Sequence, residues 1–331
     1  MVGRLVLFAF LTLALTVGAG MALPADGVVA GAGALTFGAI VAGWVLLRHD
    51  GWPSGTLGLA PDRRAAIETV VGLAVGVGVA GASMGLMALA GGLRWAPDTA
   101  TWSLTAWGAE GARSLAWLAV PAAAEEVLLR GYALAVSARV LGPGVALWVT
   151  SAVFGLLHVF NPGAGPLGLI GVTAAGLLLG GLVLRTGSLW PAVGAHLGWN
   201  WALAFLGDVS VSGLEVADAP GYDGAAQGAA WLSGGTFGVE GSILAVVCKS
   251  EKLSLCVRDA ALRFVHPFKS ARDQKGRCRA SPLTRQACKL TPLSHSLVGF
   301  ILAAKAESKL PWDEPELLTT SAVSTIQRDN I

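Results

Sequence analysis

The sequence predicts an all-α, polytopic membrane protein: a bundle of seven to eight transmembrane helices followed by a poorly ordered C-terminal tail. Three observations predict it. Of 331 residues, 54% are hydrophobic and only 13% charged, against about 25% charged in a soluble domain; mean hydropathy is +0.63. A chain so poor in charge cannot cover a water-facing surface, so most of its outer face must meet lipid. The apolar residues also fall into runs of membrane-spanning length. Third, the composition breaks near residue 247, where the last of these runs stops. The formal charge of +2 is too small to suggest a nucleic-acid partner.

In chain order the apolar spans are residues 5–23, 28–47, 66–92, 114–137, 144–161, 164–184 and 188–206, with a shorter one from Phe237 to Val247. A bilayer core takes about 20 helical residues, so seven of these qualify and the eighth is short. Lipid offers the backbone no partners, so such long runs read as helices rather than barrel strands. The first span, between Arg4 and Met21-Ala22-Leu23, has a signal peptide as its alternative; its length and poor cleavage site favour a retained helix. With the N-terminus inside, the inner loops hold Arg4, Arg48, Arg63, Arg64, Arg139 and Arg185. The outer ones hold Arg94, Arg113 and an acidic loop with Asp208, Glu215, Asp218 and Asp223. The positive-inside rule therefore orients the N-terminus toward the cytoplasm.

Residues 1–247 form the predicted bundle and 248–331 a different kind of sequence. All lysines and all cysteines (Cys248, Cys256, Cys278, Cys288) lie beyond Val247. The tail has no sustained helical or strand period, and its cysteines contain no Cys-x-x-Cys pair, so reduced thiols are expected rather than a metal knuckle. So abrupt a change in residue usage fits a shifted reading frame or a fusion. The basic tail is expected to be disordered.

Ionisable groups inside membrane helices are costly and point to function. Three clusters qualify. Glu125-Glu126 with Arg130 puts Glu126 and Arg130 four apart on one helix face, able to neutralise each other, while Glu125 points about 100° away. Phe154 and His158 are also four apart, so the ring can fix the imidazole. His196 and Asn200 repeat that spacing and present two hydrogen-bond donors on one face. Each cluster alone has a bland explanation: a packed histidine, an intrahelical staple, an amide bridging helices. Three on separate spans favour a shared site, and a carboxylate, two imidazoles and an amide in a dry pocket suit water activation with oxyanion stabilisation. The run Gly76-Val77-Gly78-Val79-Ala80-Gly81 matches a dinucleotide fingerprint but lacks the preceding strand. It reads as close helix packing, as does Gly176 with Gly180. His49, beside Arg48, reads as solvated. No His-Glu-x-x-His or Gly-x-Ser-x-Gly motif is present.

Glu-Glu-x-x-x-Arg, Phe-x-x-x-His and His-x-x-x-Asn on successive helices resemble the CPBP intramembrane proteases. That family includes the type II CAAX prenyl endopeptidases and the Abi bacteriocin-immunity proteins. The resemblance covers about residues 40–247, with the protease core at about 110–247, and Gly234-Gly235-Thr236-Phe237-Gly238-Val239-Glu240-Gly241 is similar to a glycine-rich segment of some bacterial members. It implies an endopeptidase in a bacterial inner membrane, acting on a peptide or lipidated-protein substrate. By it, Glu125 is the general base, helped by His158; His196 and Asn200 hold the oxyanion; Glu126, Arg130 and Phe154 support them. The implied mechanism needs no cofactor, since Asn is a poor zinc ligand. The zinc alternative, behind the name metalloprotease, would use Glu125, His158 and His196. The family's last helix is expected to run past Val247.

Two other classes compete. A proton-coupled transporter also uses intramembrane Glu and His, but no inverted repeat is evident. A non-catalytic immunity or scaffold protein would keep the fold and bind peptide only.

Overall fold

The structure, a computed structural model, describes residues 1–22, 27–98 and 102–250. The reading of the tail as poorly ordered lies outside the described residues from position 251 onward.

Length and apolarity make the first helices. Helices α1 (Val2–Ala22) and α2 (Val28–His49) pack along each other, and Arg4 at the start of α1 pairs with Asp50 just past α2. The two are therefore antiparallel. His49 beside them is mostly exposed, as its solvated reading expects. Helix α3 (Arg63–Leu89) begins at Asp62, whose side chain accepts from the Ala65 N–H at 2.9 Å. A carboxylate there satisfies one of the orphan donors of the first turn.

Helix α4 (Leu104–Glu126) starts on a Ser103 cap and carries Pro121 inside it. Past Glu126 the backbone continues as a π-helical segment, Val127–Ala133, and then as α5 (Leu134–Leu141). The stretch read as one span, 114–137, is thus one helical path with a wider turn in its middle, where Glu125, Glu126 and Arg130 sit. π-turns of this kind recur at functional sites. Helix α6 (Pro143–Leu157) and helix α7 (Pro166–Thr186) both open on proline, whose missing N–H costs nothing there. Helix α8 (Trp190–Trp201) runs on through a second π-helical segment, Ala202–Leu206.

By length and composition four helices could cross a membrane: α1, α2, α3 and α7. Helix α6 is shorter, at 15 residues. The count of seven to eight spans is therefore not reproduced among the described residues. The paths through α4 and α8 change helical pitch midway, and the eighth stretch is not a single helix. Residues 234–241 instead make tight turns with Gly234, Gly235 and Gly238 at positive φ, which other residues resist. Residues 243–250, here α10, are helical; a single turn, α9 (Ala230–Ser233), precedes the glycine turns. The boundary drawn after Val247 falls inside α10, and the family's longer last helix lies outside the described residues beyond position 250.

Burial rises from the outer to the inner helices: 11% of the most apolar window in α1, 22% in α2, 39% in α3 and 56% in α7. Leu7, Phe10, Leu13 and Val17 of α1 stand exposed, and lipid is the solvent that suits them. At the centre α8 is buried at every position from Pro191 to Trp199.

Helix α8 reaches that depth because glycines let it touch α3. A Cβ on Gly72 would lie 2.2 Å from the Pro191 carbonyl oxygen, and one on Gly76 2.1 Å from that of Ala195. From the other side, a Cβ on Gly194 or Gly198 would lie 2.1 or 2.3 Å from the carbonyls of Thr69 and Leu73. Two small-x-x-x-small faces interlock, a membrane-helix solution to packing without a hydrophobic driving force. The Gly76 motif is thus a contact face, and Gly176 and Gly180 serve likewise against Ser151 and Leu147.

Two short strands, β1 (Leu93–Pro97) and β2 (Tyr222–Ala226), pair antiparallel, with Leu93 opposite Ala226 and Pro97 opposite Tyr222. Next to this ribbon Arg113, Asp208, Glu215, Asp218 and Asp223 line one polar depression. These are the residues that the charge pattern assigned to one membrane face. Partial burial raises the Asp208 carboxyl above the usual carboxylate range, and Asp218 and Asp223 add to the effect. Its bonds from the Ala219 and Gly224 N–H groups pull the other way.

Candidate active site

The Glu126–Arg130 pair is fully buried, with both side chains at 0% exposure. Arg130 Nη1 donates to Glu126 Oε1 at 3.0 Å, its Nη2 reaches the Gly176 carbonyl at 3.4 Å, and its guanidinium lies 4.2 Å over the Phe154 ring. A lone charge here would cost several kcal/mol, roughly the penalty of an uncompensated buried ion. Paired, it becomes a fixed strut between α4, α6 and α7.

Glu126 also reaches α8. His196 Nδ1 stands 3.0 Å from the same Oε1. A carboxylate already bonded by arginine can only accept, so Nδ1 carries a proton and Nε2 turns the other way. There it meets Glu125: Oε2 lies 3.8 Å from His196 Nε2. Adjacent on α4 and about 100° apart, the two glutamates have different surroundings, one sealed and one 37% exposed by side chain.

His158 is set by the end of its own helix. The last turn of α6 tightens, with the His158 N–H on the Gly155 carbonyl at 3.1 Å. The Phe154 carbonyl accepts instead from His158 Nδ1 at 2.8 Å. A carbonyl only accepts, so Nδ1 bears the hydrogen and Nε2 keeps a free lone pair. Phe154 holds both imidazoles edge-on, its centroid 4.9 Å from that of His158 and 5.8 Å from that of His196.

Glu125, His158, His196 and Asn200, from three helical paths, all line one cavity of about 200 Å³. Its remaining wall is largely apolar, with Val75, Val79, Leu118 and Leu179 among the lining residues. Glu126 and Arg130 stand behind the wall rather than in it. Among the described residues no group of three His, Cys, Asp or Glu is placed to hold a metal ion. His196 commits Nδ1 to Glu126 and His158 commits Nδ1 to a carbonyl, which leaves Nε2 as the uncommitted nitrogen of each ring.

A second polar group on this cavity was missed in the sequence. Glu240 is 5% exposed; Trp199 Nε1 donates to its Oε1 at 3.1 Å and Ser212 Oγ to its Oε2 at 2.5 Å. Lys249, 1% exposed, donates from Nζ to the Gly171 carbonyl at 3.2 Å and sits 4.1 Å over the Trp199 ring. Asn161 donates to the Ser212 carbonyl at 3.0 Å. Asn161, Ser212, Glu240 and Lys249 line the same cavity as Glu125. Glu240 belongs to the glycine-rich segment 234–241, and Lys249 to the stretch assigned to the tail. An isolated Glu in a glycine-rich stretch was the one available signal.

Comparison with known proteins bears on this arrangement. Residues 108–202 match the family model described as type II CAAX prenyl endopeptidase Rce1-like. This is the family that the three motifs resemble. The Rce1-like match spans all three, from within α4 to two residues past Asn200, and it supports an integral membrane protein that is a CAAX-protease kind of enzyme. Glu240 and Lys249 fall outside it. No curated protein and no solved structure matches the chain.

Proposed function

We propose that this chain is an intramembrane endopeptidase that hydrolyses a peptide bond with water activated by Glu125 and His158. The observation that carries the reading is the cavity itself: Glu125, His158, His196 and Asn200, far apart in sequence, line one largely apolar chamber. A water held between the Glu125 carboxylate and the free Nε2 lone pair of His158 gives up a proton as it attacks the peptide carbonyl. Charge then develops on the carbonyl oxygen. His196 Nε2 and the Asn200 amide are the donors available to receive it. While Nδ1 is bonded to Glu126, donation from Nε2 needs the doubly protonated ring, and Glu125 and Glu126 on either side supply the balancing charge. As the C–N bond breaks, the proton taken up by the base passes to the leaving amine, and atoms balance without a further reactant.

Glu126, Arg130 and Phe154 are positioning residues in this scheme. The substrate is a peptide or lipidated protein drawn from the membrane, and the N-terminus faces the cytoplasm in a bacterial inner membrane. The scheme needs no metal; if zinc is present, Glu125, His158 and His196 are the residues that would hold it. Purified protein in liposomes tests this. Cleavage of a membrane-associated peptide that survives chelators supports it. Activity lost to a chelator and restored by stoichiometric zinc overturns the metal-free step. Proton-driven solute flux without cleavage replaces the reading with a transporter, and peptide binding alone with a scaffold.

A further inference from the structure

We propose that Glu240 and Lys249 act together as a positioning unit for the reaction: they lock Trp199, and so hold the neighbouring Asn200 amide where the oxyanion forms. The inference rests on the peptidase reading above, and it gives a role to two buried charges that lie outside the Rce1-like match.

Among the described residues two carboxylates are buried, Glu126 at 0% and Glu240 at 5% exposure, and the two are mounted alike. Glu126 accepts from a ring N–H on α8, that of His196 Nδ1; Glu240 accepts from another, Trp199 Nε1, at 3.1 Å. Beside Glu126, the Arg130 guanidinium lies over Phe154 and donates to the Gly176 carbonyl of α7. The charge of Glu240 acts on Lys249, which lies over Trp199 and donates to the Gly171 carbonyl of the same helix. Gly171 also admits the Glu240 backbone, since a Cβ there would lie 2.2 Å from the Glu240 carbonyl oxygen. Charges sealed from water persist only where they are compensated, and both of these arrangements supply that compensation. Two struts therefore tie α8 to α7, one through His196 and one through Trp199.

The first strut bonds directly to its oxyanion donor, His196. The second acts one residue away. Asn200 makes no hydrogen bond of its own to another described residue, so its direction is inherited from the helix. Successive side chains on a helix stand about 100° apart, and fixing Trp199 therefore fixes the bearing of Asn200. Trp199 anchors α8 just before its register changes, because the π-helical segment begins at Ala202. Glu240 itself is not placed for proton transfer. Both its oxygens already accept, from Trp199 and Ser212, whereas Glu125 Oε2 has no hydrogen-bond partner among the described residues. An oxyanion donor works only when aimed at the developing charge, and misplacement by an ångström can cost about 10²-fold.

Removing the pair together separates positioning from stability. Glu240→Leu alone strands the Lys249 charge, whereas Glu240→Leu with Lys249→Met strands none, and this double variant of the full chain is expected to melt close to the parent in detergent. In liposomes its kcat for a membrane-associated peptide is nonetheless expected to fall about 10²-fold. KM should stay within about threefold, the mark of an interaction made only in the transition state. Glu240→Gln, which can still accept from Trp199, is expected to keep kcat within about tenfold of the parent. Asn200→Ala is expected to cost about 10²–10³-fold by itself. In that background the double change should cost less than about threefold more, because the amide it positions is gone. A double variant that keeps the parent's kcat, a loss undiminished without Asn200, or a loss confined to KM overturns the proposal. Should the double variant fail to fold, Trp199→Phe carries the same test, since it keeps a ring under Lys249 and drops only the N–H. It is expected to lower kcat about tenfold, and an unchanged kcat overturns the proposal. Wild-type protein that cleaves no peptide removes the peptidase reading and this proposal with it, whereas a cleaving parent with an equally active double variant removes this proposal alone.

Discussion

The cavity has two polar walls, and they are built differently. One is formed by Glu125, Phe154, His158, His196 and Asn200, from three motifs with four-residue spacing, and is backed by the Glu126–Arg130 pair. The other joins residues that no spacing relates: Asn161 after α6, Ser212 in a loop, Glu240 in a glycine turn and Lys249 on α10. The first wall is held by a fully sealed ion pair, the second by a tryptophan wedged between a carboxylate and a cation. A wall made of helix-periodic motifs suits fixed chemistry. A wall made of loops and ends depends on tertiary contacts to hold its polar groups in place.

Removing one carboxylate from each wall separates their roles. Glu125→Gln is expected to lower peptide cleavage about 10²–10⁴-fold, the usual range for a general base. Glu240→Gln keeps an acceptor for the Trp199 indole and is expected to cost less than about tenfold. Initial rates on one peptide, with variant protein in liposomes, decide it. Comparable losses would mean that both walls take part in the chemistry.

The difference between the walls also explains what was legible in the sequence. Helix periodicity alone placed Glu126 opposite Arg130 and turned Glu125 elsewhere, and the structure has one sealed and one facing the cavity. The same spacing put Phe154 against His158. Glycine spacing predicted tight helix contact, and Gly76 makes it. What was not legible depends on tertiary contact. The π-helical turn after Glu126 follows no motif, and the β1–β2 ribbon unites strands more than a hundred residues apart. Lys249 reads as a tail residue because lysine is rare in lipid, and its contacts with the Trp199 ring and the Gly171 carbonyl exist only in the folded chain.

Next in size is the strut behind the first wall. Arg130→Met strands the Glu126 carboxylate at 0% exposure. The expected loss is about 3–5 kcal/mol, the cost of breaking one side of a buried pair. The double variant Glu126→Gln with Arg130→Met should recover much of it, because no charge is left stranded. Thermal unfolding in detergent measures both. Additive losses would show that the pair is uncoupled and the strut idea wrong.

Smaller again is the packing that carries α8 to the site. Gly76→Ala places a methyl 2.1 Å from the Ala195 carbonyl oxygen, and backbone on both helices must yield. About 1–3 kcal/mol of stability is expected to go, as for other overpacked contacts. Because Ala195 adjoins His196, cleavage should fall further than stability alone explains. Gly78→Ala is the control, since nothing lies within reach of a Cβ there. Equal effects at the two positions would show that helix propensity, rather than contact, matters at Gly76.

The smallest effect is expected at the rim, where Asp208 sits outside the helical bundle. Partial burial raises its carboxyl above the usual carboxylate range, against two backbone N–H bonds, with Asp218 and Asp223 nearby adding to the shift. An acid whose folded value is raised binds its proton more tightly in the native state. Its contribution to stability is therefore full below the unfolded value and is lost as pH climbs through the folded one. Melting temperature should accordingly fall slightly as pH rises from about 4 through the range just above it. Asp208→Asn should flatten that part of the profile, since the amide has no charge to gain, although it satisfies only one of the two N–H donors well. The other rim carboxylates titrate in the same window, so the informative quantity is the difference between variant and parent at each pH. A parent whose stability instead rises across that window, with the variant following it, would show that the two backbone donors outweigh burial and that Asp208 is held as a carboxylate.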